Sequence, residues 1–201
     1  MHSHPQRALR GQFIPLELAL GAMGVAVWPM VELEADDALA SAARFAAADE
    51  RVEKVCIWTP DKDLAQCVVD DRVVQMDRRS GEIRNAAGVK AKFGVVPALI
   101  PDYLALVGDS ADGYPGLSGY GSKGAAALLN RHGPIENFPP EILGERREEA
   151  LLFKKLATLV ADAPMIQDVD ELRWRGPPPS FAIVGEKIDA KLVARAERLR
   201  L

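Results

Sequence analysis

Asp102-Tyr-Leu-Ala-Leu-Val-Gly-Asp-Ser-Ala-Asp-Gly-Tyr-Pro-Gly-Leu-Ser-Gly-Tyr-Gly-Ser-Lys123 holds the pattern on which the fold of this chain turns. An apolar run over 98–107 predicts a helix, the glycines over 108–121 predict a long turn, and 122–131 predicts a second helix. Glycines let a backbone come close to a phosphate, and a helix start offers unpaired N–H groups to an anion. Lys123 adds a positive charge there. The spacing is not that of a P-loop, because Ser122 precedes the lysine and Gly124 follows it. Helix, turn and helix fit a nucleic-acid backbone gripped without reading its sequence. The alternative reading is a plain glycine-rich connection between helices.

Upstream the pattern changes. Leu16–Met23 predicts a helix stopped by Gly24, and Val25–Trp28 a short buried strand. An alanine-rich helix is predicted over Ala35–Ala48, then a second buried strand over Lys54–Trp58. A helical turn follows at Asp63–Cys67. Arg72–Met76 and Glu82-Ile83 flank Asp77–Gly81 as a hairpin. Strands separated by helices indicate an α/β sheet with some parallel pairs. Downstream, 141–160 predicts one long amphipathic helix with Leu151, Leu152, Leu156 and Leu159 on its apolar side. Beyond a proline-rich joint at 173–179, residues 181–201 predict one or two short helices, basic through Lys187, Lys191, Arg195, Arg198 and Arg200.

Carboxylates gather at the element boundaries. Glu34, Asp36 and Asp37 open a helix, Asp61 and Asp63 follow a strand, and Asp109 and Asp112 sit in the glycine-rich turn. In an open α/β sheet the carboxyl ends of strands face the ligand crevice, so the first two groups are placed to converge. Like charges held together require protonation or a bound cation. All-oxygen ligands suit a hard divalent ion, and the scarcity of Cys and His argues against zinc. The competing reading is structural: acids stabilise the first turn of a helix, and Asp caps helices and turns.

Apolar residues make up 48% and charged residues 27%, the balance of a globular chain rather than a disordered one. The net charge of -4 excludes a nucleic-acid partner held by the field of the whole molecule and leaves only a local basic surface. The longest apolar stretch, Ala22–Val31, contains Pro29 and is too short for a membrane span. No hydrophobic leader opens the sequence, so the expectation is a cytoplasmic protein. Cys56 and Cys67 are expected to be small buried side chains. His2 and His4 are expected in a frayed terminus.

Glu34-Ala-Asp-Asp37, Thr59-Pro-Asp-Lys-Asp-Leu-Ala-Gln66 and the 102–123 stretch, in this order and spacing, resemble the 5′-nuclease family. That family includes the 5′–3′ exonuclease domain of bacterial DNA polymerase I, stand-alone 5′–3′ exonucleases and flap endonucleases. The resemblance spans roughly residues 16–176. It implies an α/β fold: a partial PIN-like sheet with flanking helices over 1–95, a helical helix–three-turn–helix DNA-binding region over 96–176, and a helical tail over 177–201. It implies that Asp36, Asp37, Asp61 and Asp63 are catalytic. Together with Glu34, Asp109 and Asp112 these residues would hold two divalent ions, Mg²⁺ or Mn²⁺. Gly119, Gly121, Ser122 and Lys123 would contact DNA phosphates, and main-chain oxygens of Leu117 and Tyr120 would bind K⁺. The implied reaction is two-metal hydrolysis of phosphodiesters in duplex DNA near a 5′ end or 5′ flap. A DNA polymerase is the implied protein partner and the nucleoid the implied location.

The family pattern opens with a strand bearing a Leu-Val-Asp-Gly-type motif, then a further Asp and a basic arch, none of which is found in this sequence. The expectation is therefore a nuclease weak or inactive by itself. The alternative is a duplex-binding module with a vestigial metal pocket. An unrelated Mg²⁺-dependent phosphatase is a third reading.

Overall fold

A computed structural model describes residues 9–188 and 190–198. His2, His4 and Arg200 lie outside the described residues. The chain divides into two compact units, Leu33–Met165 and a smaller one made from Met1–Glu32 and Ile166–Leu201. Helix α1, Phe13–Ala22, belongs to the smaller unit.

The larger unit opens with helix α2, Ala35–Ala48, which buries Ala38, Ala40, Ser41, Ala42, Ala43 and Ala46. Alanine is the best helix former, and its short side chain lets neighbouring elements pack closely. Strand β1 (Val55–Ile57) runs parallel to β2 (Val73–Met76), and β2 pairs antiparallel with β3 (Ile83–Arg84), in the order β1-β2-β3. Asp63–Cys67 forms a 3₁₀ turn between β1 and β2. Ala43, Ile57, Leu64 and Val73 pack into one buried cluster that fixes α2, β1 and this turn against one another. The Arg72 guanidinium gathers the carbonyls of Ala47, Asp49, Val52 and Glu53, closing the α2–β1 connection.

Helix α3, Ala86–Phe93, has no counterpart in the sequence reading, although its punctuation is plain. The Asn85 side chain accepts from Gly88 N–H at 3.0 Å, and Gly94 ends the helix at φ +79°. After a 3₁₀ turn at Pro97–Leu99 come α4 (Ile100–Val107) and α5 (Ser122–His132), joined by the glycine-rich turn. The stretch expected as one long helix is broken: α6 (Pro140–Leu143) stops at Gly144, φ +54°, and α7 resumes over Arg147–Ala157. Its buried residues are Ala150, Phe153 and Ala157, whereas Leu152 and Leu156 are 55% and 60% exposed. The helix therefore packs on the helical core by Ala150, Phe153 and Ala157 with Leu151 half-buried beside them, while Leu152 and Leu156 turn to solvent. Ile100, Leu104, Leu106, Leu129 and Ile135 are essentially inaccessible in this helical core. Each contributes about 1.5–3 kcal/mol by burial.

In the smaller unit, helices α8 (Phe181–Ile188) and α9 (Ala190–Glu197) follow a 3₁₀ turn at Val169–Leu172. The expected strand at Val25–Trp28 is not a strand: the segment has no regular secondary structure and no ladder partner among the described residues, and Val25 is exposed. An apolar run becomes a strand only where another strand meets its backbone. Cys56 also departs from expectation. It is exposed, because its side chain points to the opposite face from Val55 and Ile57, which pack toward the core. Cys67 is half-buried.

Candidate metal centre and nucleic-acid interface

The carboxylates are brought together by the packing of α2 against the end of β1. Asp36 sits in the first turn of α2, Asp61 follows β1, and Asp63 opens the 3₁₀ turn. One carboxylate oxygen from each of Asp36, Asp61 and Asp63 lies within 4.8 Å of the others. Asp63 is buried, Asp36 half-buried and Asp61 exposed. Burial, then the neighbouring Asp36, pushes the Asp63 carboxyl up to about 7, against the pull of its hydrogen bond from Leu64 N–H. Burial and the charges of Asp61 and Glu34 raise Asp36 as well. Asp112 is raised by burial and by Asp109 and Asp61. These groups repel one another without a counter-ion, and an all-oxygen donor set of this spacing fits a hard divalent cation.

Glu34, Asp63 and Asp112 also line a cavity of about 270 Å³, with Tyr114 and Lys155 on its walls. The Tyr114 hydroxyl is buried with no hydrogen-bond partner. Two acids named from the sequence are already engaged. Asp37 accepts from Glu34 N–H at 3.0 Å and from Val160 N–H at 2.8 Å, capping α2 and tethering the chain after α7. Both oxygens of Asp109 take the Lys62 ammonium at 2.8 Å, and Ala111 N–H donates to one of them at 3.0 Å. Lys62 lies inside the Asp61–Asp63 motif, but its role escaped the sequence reading because its partner is 47 residues away.

The glycine-rich turn has two kinds of glycine. Gly108 (φ +87°) and Gly116 (φ +69°) meet backbone to backbone, and a Cβ on either would collide with the other's strand of the turn. Gly119 and Gly121 face open space. Gly121 caps α5, whose first N–H groups, on Ser122, Lys123 and Gly124, have no acceptor within the helix. All of these residues are exposed. Arg146, absent from the sequence reading, joins them: it stacks over the Tyr120 ring at 5.2 Å and donates to the Ser118 carbonyl at 2.7 Å. Leu117, named for a main-chain cation site with Tyr120, is buried, and its carbonyl accepts Tyr120 N–H at 3.2 Å.

Residues 2–94 match the family described as 5′-3′ exonuclease, N-terminal resolvase-like domain, and residues 95–180 match 5′-3′ exonuclease, C-terminal SAM fold. DNA polymerase I of Pseudomonas aeruginosa is 36% identical over 194 residues, covering 88% of this chain and 21% of that protein. A 5′-3′ exonuclease of Aquifex aeolicus is 36% identical over 159 residues, covering 74% of this chain and 54% of that protein. The chain thus spans about a fifth to a half of the curated relatives it matches. In fold it is similar to bacteriophage T5 5′-exonuclease solved with divalent zinc ions, at TM-score 0.65 and 17% identity, covering 99% of this chain and 73% of that one. A T5 flap endonuclease solved with DNA and metal ions gives TM-score 0.64 at 17% identity, covering 99% of this chain and 72% of that one. No helix among the described residues is long and apolar enough to cross a membrane.

Proposed function

Because the chain belongs to the 5′–3′ exonuclease family, we propose that it acts on duplex DNA at a 5′ end or 5′ flap, hydrolysing phosphodiesters with two divalent ions. The observation that carries this reading is the meeting of Asp36, Asp61 and Asp63 within 4.8 Å. Asp36, Asp61 and Asp63 would hold one divalent ion, Mg²⁺ or Mn²⁺, and Glu34 and Asp112 would contribute to holding a second. Bound there, such ions would supply Lewis acidity to activate water and to offset charge on the phosphate. The protein's own part is positional. The α2 start and the 3₁₀ turn hold the carboxylates at fixed separation, and the first amides of α5 with Lys123 and Arg146 bind the DNA backbone. Main-chain oxygens of Leu117 and Tyr120 are the proposed K⁺ position.

The proposed division of labour is a catalytic core over 1–95, a DNA-gripping region over 96–176 and a helical tail over 177–201. A DNA polymerase is the proposed protein partner, and the nucleoid the proposed location. A second reading, a duplex-binding module that does not cut, is favoured by the engagement of Asp37 and Asp109 with protein groups. The deciding experiment presents the chain with a 5′-labelled flap-and-duplex DNA in Mg²⁺ and in EDTA. Mg²⁺-dependent 5′ products, lost in the Asp61→Asn/Asp63→Asn double variant, support the nuclease. Retained DNA binding without products supports the module, and salt-independent or absent DNA binding defeats both.

A further inference from the structure

Asp109 is 1% exposed, so its charge needs a partner within the protein. It is answered by Lys62, whose ammonium lies 2.8 Å from both of its oxygens. Lys62 comes from between Asp61 and Asp63, so the motif that supplies two acids of the triad also supplies a cation. The lysine is 45% exposed along its side chain, so solvent reaches it and it can withdraw. In this paired position Lys62 also lines two open cavities. One is about 300 Å³, shared with Lys92, Gly108 and Ser122; the other is about 480 Å³, shared with Ser110 and Gly113. Asp112 stands in the electrostatic field of Asp109, Asp61, Glu34 and Lys62, so the pair belongs to the same charged neighbourhood as the triad.

We propose that Lys62 is a built-in counter-cation: a positioning residue that holds Asp109 in place and competes with a divalent ion for its carboxylate. A buried carboxylate without a partner is strongly unfavourable, so the site needs a positive charge at every stage of its cycle. The lysine supplies it while no divalent ion is bound. A cation entering beside Asp109 either displaces the ammonium or is repelled by it, so the lysine sets a threshold for metal occupancy. The displaced ammonium is then free to face an anion in the cavity beside Ser122. This inference rests on the metal reading proposed above.

Titration with Mn²⁺ alone, followed by its electron paramagnetic resonance signal, tests the idea without DNA or turnover. Lys62→Met removes the charge and keeps the length, and it is expected to bind Mn²⁺ roughly tenfold more tightly than the natural chain. Lys62→Arg restores the charge and should bind as the natural chain does. In Lys62→Met/Asp109→Asn the gain should vanish, since Asp109 then carries no charge to attract the ion. Should Lys62→Met fail to fold in EDTA, restoration of its near-ultraviolet circular dichroism by Mn²⁺ supports the proposal, and failure to restore it counts against. Equal Mn²⁺ affinity in the natural chain and Lys62→Met overturns the proposal and leaves the metal site standing. No Mn²⁺ binding in the natural chain or any variant removes the metal reading and this inference together.

Discussion

Single side chains in the acidic cavity carry opposite liabilities. Asp63, raised to about 7 by burial and by Asp36, is protonated in the folded protein over a range where the unfolded chain has already ionised. The folded state then holds the extra proton, so stability is highest below the unfolded carboxylate value near 4 and falls as pH rises toward 7. Metal-free protein melted at pH 4.5 and 7.5 should show this decline, and Asp63→Asn should flatten most of it. The same decline in Asp63→Asn would refute the assignment to this carboxyl. Tyr114 differs because its hydroxyl is buried without a partner while its ring stacks on Phe153 at 6.0 Å. Tyr114→Phe keeps the ring and removes the unsatisfied group, and should raise metal-free stability by about 1 kcal/mol in urea denaturation.

Among the elements, the turn between α4 and α5 separates glycines that build it from glycines that leave room on it. Gly108→Ala adds a Cβ at φ +87° against the Pro115 backbone. A loss of at least about 2 kcal/mol is expected from the strain and the collision together. Gly121→Ala stands at φ -85° in open space and should leave the melting temperature unchanged while weakening DNA binding. A large loss of stability in Gly121→Ala would show that the turn is sealed by something other than solvent. On α4, Asp102 is 2% exposed, accepts Ile135 N–H at 2.8 Å and pairs with Lys154 at 2.8 Å. Burial lowers the proton affinity of Lys154, but its hydrogen bonds to Asp102 and Glu136 more than offset that. Asp102→Ala should therefore cost about 3 kcal/mol, loosening α7 from α4.

For the whole molecule, a net charge of -4 leaves the proposed DNA binding to the exposed cationic groups near α5. The logarithm of the DNA association constant should fall linearly with the logarithm of salt concentration. Lys123→Ala should weaken binding evenly across sequences and make that slope shallower by about 1. Mg²⁺ should raise the melting temperature by binding the folded state, and Asp61→Asn/Asp63→Asn should abolish the rise. An undiminished rise in the double variant would place the ion elsewhere.

The sequence by itself determined the features that depend on neighbours along the chain. The α2 boundaries, the β2–β3 hairpin, the glycine-rich turn between two helices and the three acidic groups all follow from periodicity, caps and glycine placement, whereas which strands pair in parallel came from the fold. Helix α3 was equally legible from Asn85 and Gly94, since those two residues are its ends. Tertiary structure decided whatever depends on a distant partner. Val25–Trp28 is no strand because no described strand meets it. Of the four leucines expected inside, Leu152 and Leu156 lie outside while Leu151 and Leu159 are half-buried against the core, because the helix turns Ala150, Phe153 and Ala157 inward. Asp36, Asp61 and Asp63 converge while Asp37 and Asp109 turn to Val160 and Lys62, since a carboxylate pairs with whatever donor the fold brings within about 3 Å. Local pattern sets which residues are available at a site, and long-range packing sets which of them are left free for chemistry.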